Sequence, residues 1–413
     1  MMNRRIFLKS GGLALVASGL LPGVFVRMAA AGATRGRKTL VVVFQRGAVD
    51  GLNVVVPYGE SDYYRLRPNI AIPRPGTGPE AAVDLDGFFG LHPSLAPLQP
   101  LFMDRSLAFV HATGSPDNTR SHFDAQDFME SGTPGVKSTP DGFLSRAIQG
   151  RKEKVSPLRA VSLTSSMPRI LTGAGGAVAM SDVSRFGIQA GSASSLVSDS
   201  FESMYSNAVD QTLGGTAQES FEAMKILKSF DPARLQPENG AVYPPGPFGS
   251  SMKQIAQLIK GGVGLEVAFT DIGGWDTHVA EGNARGQLAN NLRNYAAAIG
   301  AFGRDLGSRL SDVVLVTVSE FGRTVRENGN RGTDHGHGNV MLVMGGGVRG
   351  GKVHGQWPGL NSGALYENRD LAVTTDFRDV FGEVLSKQLG VASLDKVFPG
   401  YTSSPRKWRG VMA

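Results

Sequence analysis

A glycine-rich stretch at residues 331–339 carries two of the chain's seven histidines and one aspartate, in the order RGTDHGHGN. Asp334, His335 and His337 belong to residue types that can ligate divalent metal ions, and glycine lets the main chain approach an ion closely. The same composition is typical of a polar surface loop, in which glycine and aspartate are ordinary turn residues. The stretch alone therefore leaves a metal site and a turn as two open interpretations.

Short apolar runs, several of them rich in valine, recur along the chain and predict the strands of a sheet. Continuous runs of this length are typical of strands that are covered on both faces. The predicted strands are residues 39–45, 106–112, 160–163, 264–271, 313–319 and 340–344. Apolar side chains at three- and four-residue steps predict one long helix at residues 287–310. Strands that alternate with helices favour an α/β fold with a mainly parallel sheet and helices on both faces.

Polar residues follow four of these runs, at the positions where the predicted strands end. They are Asp50, Ser121 with His122, Asp276 with His278, and Glu320. The stretch that begins at Asp334 comes a short loop after Glu320. Because the carboxyl ends of parallel strands meet at one edge, where ligand sites collect, we expect all of these side chains to lie along one rim.

The acidic residues and their neighbours are the candidate metal ligands. Asp276 and His278 lie two residues apart, so both side chains of an extended segment point the same way, and we expect both to bind a metal. Asp50 is well placed to hold a cation, although an aspartate there also closes turns or caps helices. Glu320 is a ligand, a group behind a ligand, or the salt-bridge partner of Arg323.

The remaining candidates are a nucleophile, an acid or base, and two cations. Ser121 is the candidate nucleophile, and the alternative is that it only caps a helix that begins there. His122 either acts as acid or base or packs against that helix. Arg46 and Arg323 could bind phosphate or sulfate oxygens, which suit a guanidinium, or they are surface arginines. His354 is a reserve ligand.

Residues 1–33 have the features of an export signal. Arg4 and Arg5 precede Ile-Phe-Leu-Lys, a weakly polar segment follows, and small residues lie at positions 29–33. The arginine pair resembles a twin-arginine signal, which implies export of a folded protein to the periplasm or beyond by the Tat machinery. The apolar segment is shorter than the roughly 20 residues of a spanning helix and contains Pro22, so we expect no stable membrane span in the mature chain.

The rest of the chain, residues 34–413, is predicted to be a single domain. Residues 173–248 are rich in Ser, Gly, Ala and Gln, which indicates an insertion or cap with a helix at 218–229. The predicted signal carries four basic side chains and no acidic one, so the formal charge falls from +6 to +2 without it. A chain this close to neutral gives no electrostatic case for nucleic acid. Cysteine is absent, which excludes thiolate ligands and a cysteine nucleophile.

Taken together, five stretches resemble an exported bacterial family of unknown function that is sulfatase-like within the alkaline phosphatase superfamily. They are VVVFQRGAVDGLNVVVP, SHFDAQDFMESG, GGWDTH, SEFGRT and TDHGHG. The resemblance covers nearly the whole mature chain and implies an alkaline-phosphatase-like three-layer sandwich. It also implies two divalent metal ions, for which zinc, manganese and iron suit the available ligands.

By this resemblance Asp50 would hold one metal, Asp276 with His278 would hold the second, and Ser121 would occupy the nucleophile's position. Asp334 and His335 match the superfamily's Asp-His pair, with Glu320 as the competing ligand. The expected function is a metal-dependent hydrolase of a phosphate or sulfate ester, acting on a small anionic ester or a polysaccharide-type substrate. The alternative is an exported binding or accessory protein that kept the fold without the chemistry.

Overall fold

The structure of this chain is a computed structural model that describes residues 38–149, 156–185, 223, 225–227 and 234–413. The predicted signal at residues 1–33 lies outside the described residues. Most of the predicted insertion at residues 173–248 also lies outside them, and of its predicted helix at 218–229 only residues 223 and 225–227 are described, all of them helical. The account below therefore concerns the described ranges.

Most strands of the described chain belong to one large sheet. In chain order the strands are β1 (Thr39–Gln45), β2 (Val55–Val56), β3 (Val83–Asp84), β4 (Gly90–Leu91), β5 (Leu107–Gly114), β6 (Ala160–Ser162), β7 (Val178–Ala179), β8 (Val267–Ile272), β9 (Val313–Val318), β10 (Asn339–Gly345), β11 (Val353–His354) and β12 (Thr375–Asp376). The central sheet has the order β11-β5-β10-β9-β1-β8-β6-β7, with β12 beside β5. The short strands β2, β4 and β3 form a separate antiparallel sheet.

The central sheet is mixed but mostly parallel. β1 pairs in parallel with β8 and β9, and β6 pairs in parallel with β8. β10 is antiparallel to both β5 and β9. Because one antiparallel strand separates β5 from β9, those two strands run in the same direction. The carboxyl ends of β1, β5, β8 and β9 therefore meet at one edge, as expected from the sequence.

Helices cover both faces of this sheet. In chain order they are α1 (Gly51–Val54), α2 (Ser61–Leu66), α3 (Gln99–Met103), α4 (His122–Ser131), α5 (Phe143–Ile148), α6 (Pro247–Lys260), α7 (Gln287–Leu306), α8 (Phe377–Leu389) and α9 (Leu394–Val397). Short 3-10 turns lie at Pro93–Leu98, Arg169–Leu171, Val183–Arg185, Gly307–Asp312 and Ser362–Ala364. The amphipathic period of α7 places its apolar side on the sheet, as the sequence predicts.

Alternate residues of β1 enter two separate cores. Val41 and Val43 pack with α6 and α7 on one face, whereas Val42 and Phe44 pack with α5 and α8 on the other. All seven residues of β1 are buried, because a central parallel strand is covered on both sides. The valine-rich runs are thus explained by burial on both faces rather than on one.

The predicted elements agree with the structure to within a few residues. β1 occupies the predicted residues 39–45, and β8 begins three residues after the predicted start at 264. The long helix ends at Leu306, and a 3-10 turn continues to Asp312. The chain from Lys38 onward forms one compact unit. Among the described helices, none has the length and apolar character that crossing a bilayer requires.

Candidate metal centre

Two loops and one helix start bring the candidate ligands together at the carboxyl edge of the sheet. His122 is the first residue of α4, which follows β5, and Asp276 and His278 lie in the segment after β8. His335 lies in the connection between β9 and β10. Its main chain bridges that of Arg323, so the connection folds back on itself over the sheet edge.

Three imidazole rings lie around the carboxylate of Asp276 at this rim, and three of these four side chains form a group that could hold a metal ion. His122, Asp276 and His335 offer ligand atoms that all lie within 4.8 Å of one another. His278 Nε2 lies 3.0 Å from Asp276 Oδ1 and 2.9 Å from His335 Nε2. Asp276 Oδ1 lies 3.3 Å from His335 Nε2 and 3.5 Å from His122 Nε2. The cluster therefore joins three imidazoles and one carboxylate.

The other ring nitrogen of each histidine faces a hydrogen-bond acceptor. His122 Nδ1 lies 2.8 Å from Glu320 Oε1, and His278 Nδ1 lies 3.1 Å from Asp334 Oδ1. His335 Nδ1 lies 2.8 Å from the main-chain oxygen of Arg120. We assign the proton of each neutral ring to Nδ1 on this ground. Every Nε2 then has a lone pair on the side of Asp276, and histidines that bind metals commonly donate their other ring N–H to such an acceptor.

This geometry fits a metal ion. Lone pairs of His278 and His335 only 2.9 Å apart repel unless a proton or a cation lies between them. His122 Nε2 is buried and has no hydrogen-bond partner among the described residues. Metal–nitrogen bonds of about 2.0–2.1 Å put tetrahedral ligand atoms about 3.3 Å apart. The interatomic distances from Asp276 Oδ1, at 3.0 to 3.5 Å, lie close to that value.

The pKa values of three of these side chains are shifted by their surroundings, in different directions. The hydrogen bond to Glu320 raises the pKa of His122 above its usual value. Burial lowers the pKa of His335. Burial would raise the pKa of Asp276, but the guanidinium of Arg323 outweighs it and lowers that pKa overall. Asp276 is therefore held as a carboxylate, the form that binds a cation.

The glycines of the RGTDHGHGN stretch allow main chains to pack against one another. A Cβ on Gly336 would lie 2.3 Å from the main-chain carbon of Arg323, and one on Gly332 would lie 2.4 Å from that of His278. A Cβ on Gly322, across the loop, would lie 1.8 Å from the oxygen of Gly338. Glycine is needed because loop backbones touch there, which holds His335 over the rim.

A buried glutamate ties two ligand-bearing loops together. Glu281 Oε2 accepts hydrogen bonds from Thr277, beside Asp276, at 3.0 Å and from Thr333 at 2.8 Å. Thr333 also donates its main-chain N–H to the oxygen of Thr277. Burial raises the pKa of Glu281 well above its usual value. This residue holds the segment after β8 against the loop that carries His335.

Asp50 lies in the interior, away from the four converging ligands. Its side chain is fully buried and pairs with both terminal nitrogens of Arg67, one of them at 3.0 Å. Arg67 also donates to the main-chain oxygens of Val325 and Thr324. The expectation that Asp50 holds a metal is therefore corrected: a fully desolvated bidentate ion pair already occupies its carboxylate.

Glu320 and Asp334, between which the sequence left the direct ligand open, both lie behind histidine rings and outside the group that could hold a metal. Glu320 Oε1 accepts from His122, from Gln126 Nε2 and from the main-chain N–H of Gly47, each at 2.8 Å. Asp334 accepts from His278 and from Asn328. Each carboxylate orients a ring rather than facing the centre.

Ser121 caps helix α4, and His337 lies outside the cluster. The Ser121 hydroxyl accepts the main-chain N–H of Asp124, which is the capping alternative. His337 stacks on Tyr366 with the ring centres 4.4 Å apart. The expected ligand role of His337 has no geometric support, because its ring stacks on Tyr366 and is not part of the His/Asp group. His354 contacts main-chain oxygens of Arg349 and Arg409 instead.

The two arginines expected to bind an anion are both occupied. Arg323 is buried and donates to Asp276 Oδ1 at 2.6 Å and to the oxygen of Ala48 at 2.7 Å. Arg46 pairs with Asp271 at 2.6 Å and with Glu130 at 2.9 Å. Arg323 therefore positions a ligand and Arg46 anchors the rim, and neither presents a free guanidinium.

Sequence reasoning missed three residues that hold His335 in place: Arg120, Arg369 and Asp370. Buried Asp370 pairs with Arg120 at 2.7 Å and with Arg369 at 2.9 Å. Arg120 presents its main-chain oxygen to the ring of His335, and Arg369 donates to the main-chain oxygen of His335. The segment ENRD that contains Arg369 and Asp370 resembles an ordinary polar turn, so no local signal identified them.

Fold and cluster together define an α/β protein with a candidate metal site at the carboxyl edge of a mixed, mostly parallel sheet. Residues 37–398 match a family described as protein of unknown function (DUF1501), and the chain belongs to that family. None of the curated proteins matches the sequence.

Proposed function

We propose that this protein is an exported metal-dependent hydrolase of a phosphate or sulfate ester. One observation carries the proposal: the Nε2 atoms of three histidines lie 3.0 to 3.5 Å from Asp276 Oδ1, and the other ring nitrogen of each histidine faces a hydrogen-bond acceptor. The resemblance of GGWDTH and TDHGHG to the sulfatase-like class supports the choice of ester and an alkaline-phosphatase-like sandwich. A bound divalent metal would supply Lewis-acid activation of an ester oxygen and of water.

The protein's own side chains would bind and orient the cation. His122, His278, His335 and Asp276 would be the ligands, and Glu320 and Asp334 would accept from Nδ1 of His122 and His278 and so direct Nε2 of each ring toward the cation. Arg323 would keep Asp276 ionised. An imidazole-rich set suits zinc or iron somewhat better than manganese. With Asp50 paired to Arg67, we propose one ion at this centre rather than two.

A second candidate is a metal-binding accessory protein without catalysis. It is favoured by the capping role of Ser121, the hydroxyl that the sequence offers as the nucleophile. Turnover that depends on metal but not on Ser121 would favour hydrolysis by activated water over a serine nucleophile. Absence of turnover on any ester, with metal bound, would favour the accessory role.

The test compares two histidines that are two residues apart. We expect the purified chain to carry about one zinc or iron per molecule, His335→Gln to lose it, and His337→Gln to keep it, because His337 only stacks on Tyr366. Elemental analysis gives the metal content, and p-nitrophenyl phosphate and sulfate give kcat/KM with and without chelator. Equal metal content in both variants would overturn the proposal.

A further inference from the structure

A cavity of about 360 Å³ opens beside the metal centre, at the carboxyl ends of β1, β6 and β8. Arg46 follows β1, Leu163 follows β6 and Asp271 belongs to the end of β8, while the start of α6 forms the opposite wall. The volume falls within the range of about 300–1,000 Å³ that small-molecule sites occupy. We call this cavity the serine cleft because six hydroxyl residues line it: Thr164, Ser165, Ser166, Ser181, Ser250 and Ser251.

Hydroxyl groups give the serine cleft its chemistry. A serine hydroxyl both donates and accepts, so it pairs with a ligand hydroxyl in either direction. In the part of the chain that the structure describes, the hydroxyls of Ser165, Ser166, Ser181 and Ser251 are not engaged by another protein group. They remain available to a ligand.

The charge of the serine cleft disfavours an anion. Arg46 donates to Asp271 at 2.6 Å and lies 2.9 Å from Glu130, so two carboxyl groups already face its guanidinium. Asp271 retains acceptor capacity at the cleft wall, which suits a ligand that donates hydrogen bonds. The side chains of Leu163, Pro168 and Pro247 add apolar surface for C–H groups. Donors, acceptors and C–H faces without net charge are the surface of a sugar ring.

A relay of hydrogen bonds links the serine cleft to the candidate metal centre. Arg46 Nη1 donates to Gln126 Oε1 at 2.8 Å, and Gln126 Nε2 donates to Glu320 Oε1 at 2.8 Å. The same Glu320 oxygen accepts from His122. Three hydrogen bonds therefore link the cleft wall to a histidine of the candidate metal centre, and both sites lie on the same edge of the sheet.

We propose that the serine cleft binds a neutral carbohydrate ring, the part of the substrate that carries the ester presented to the metal centre. The substrate role rests on the proposed hydrolase, whereas carbohydrate binding itself requires no metal. The substrate class is accordingly a phosphate or sulfate ester of a saccharide.

The experiment screens the purified chain against an array of neutral, sulfated and phosphorylated oligosaccharides, and then measures the best neutral binder by calorimetry. Ser165→Leu and Ser250→Leu fill the cleft from opposite walls, and each is expected to weaken binding about tenfold or more by displacing paired hydroxyls. Ser308→Leu is the matched control, an exposed serine at the opposite end of the sheet. Its affinity should equal that of the unaltered chain.

Chelated protein and His335→Gln separate this proposal from the proposed function. Neutral glycan binding that persists in both supports the serine cleft, even where no ester is hydrolysed. No binding to any neutral glycan, preference for anions without a sugar such as inorganic phosphate, or equal affinity in Ser165→Leu, Ser250→Leu and Ser308→Leu would overturn the proposal. Metal-dependent ester hydrolysis without glycan binding would leave the hydrolase standing and remove the cleft.

Discussion

Replacing Glu320 by glutamine tests whether the metal centre depends on the carboxylate behind His122. Glu320 is buried, and its Oε1 accepts from three donors: His122 Nδ1, Gln126 Nε2 and the Gly47 N–H, each at 2.8 Å. Glutamine keeps the shape and one acceptor oxygen but removes the negative charge. His122 then becomes a weaker base, and its Nδ1 proton is less firmly held.

The expected magnitude follows from the role of such carboxylates. Loss of a partner behind a metal-bound histidine weakens metal binding by about 10–100-fold, which corresponds to about 1.4–2.7 kcal/mol. All three donors must share a neutral acceptor after the substitution, so we expect the upper part of that range. The measurement is zinc competition against a chromophoric chelator at constant pH.

Glu383→Gln is the matched control for this prediction. Glu383 lies in α8 and is as deeply buried as Glu320. Its carboxyl group accepts two main-chain N–H groups, from Gly410 at 3.0 Å and from Met412 at 2.9 Å. Both variants should lose some stability in urea, since each removes a buried charged acceptor. Only Glu320→Gln should lose zinc affinity. Equal zinc affinity in the two variants would show that the Glu320 carboxylate does not support the centre.

Three further predictions concern loop packing, pH and metal removal. Gly322→Ala should lower the urea-measured free energy of unfolding by about 1–3 kcal/mol, because its Cβ would strike the Gly338 oxygen, whereas Gly329→Ala, with open space around it, should not. Burial lowers the pKa of His92 and His111 to about 4. The free energy of unfolding should therefore fall as pH falls from 6.5 to 4, by about 1.4 kcal/mol per pH unit for each histidine. Urea titrations of His111→Gln should show a smaller slope with pH. Zinc at 100 times its Kd should raise the free energy of unfolding by about 2.7 kcal/mol over chelated protein in thermal scans, and an unchanged melting temperature would contradict a built site.

The sheet could be predicted because strands that are buried on both faces consist almost entirely of apolar residues. Residues 39–45 are apolar without interruption, and the structure buries every one of them between two cores. The strand ends were less certain, since hydrogen bonding to neighbours decides them. β5, for example, continues two residues beyond the predicted end to Gly114, because β10 and β12 pair with it there.

The common rim of polar residues was also predictable, but the roles within it were not. His122, Asp276, His278 and His335 meet because parallel strands end at one edge. Asp50 also follows the end of a parallel strand, but its carboxylate is buried in an ion pair with Arg67, which lies 17 residues further along the chain. Sequence spacing does not show which carboxylate will form an ion pair with a given arginine.

The HGH pair illustrates the same limit at a finer scale. The sequence offers both His335 and His337 as ligands from one glycine-flanked stretch. In the structure His335 joins the His/Asp group, whereas His337 stacks on Tyr366. The aromatic partner of His337 lies 29 residues further along the chain, so the sequence of the stretch alone does not separate the two histidines.

The metal centre depends entirely on contacts between segments that are distant in sequence. His278 and His335 lie 57 residues apart, and His122 and Glu320 lie 198 apart. No single segment holds enough ligands to bind a metal before the sheet has formed. A cation bound there would tie the loops after β5, β8 and β9 to one another, so its binding energy would add to the stability of the folded state. The centre would thus report on folding of the whole sheet as well as on chemistry.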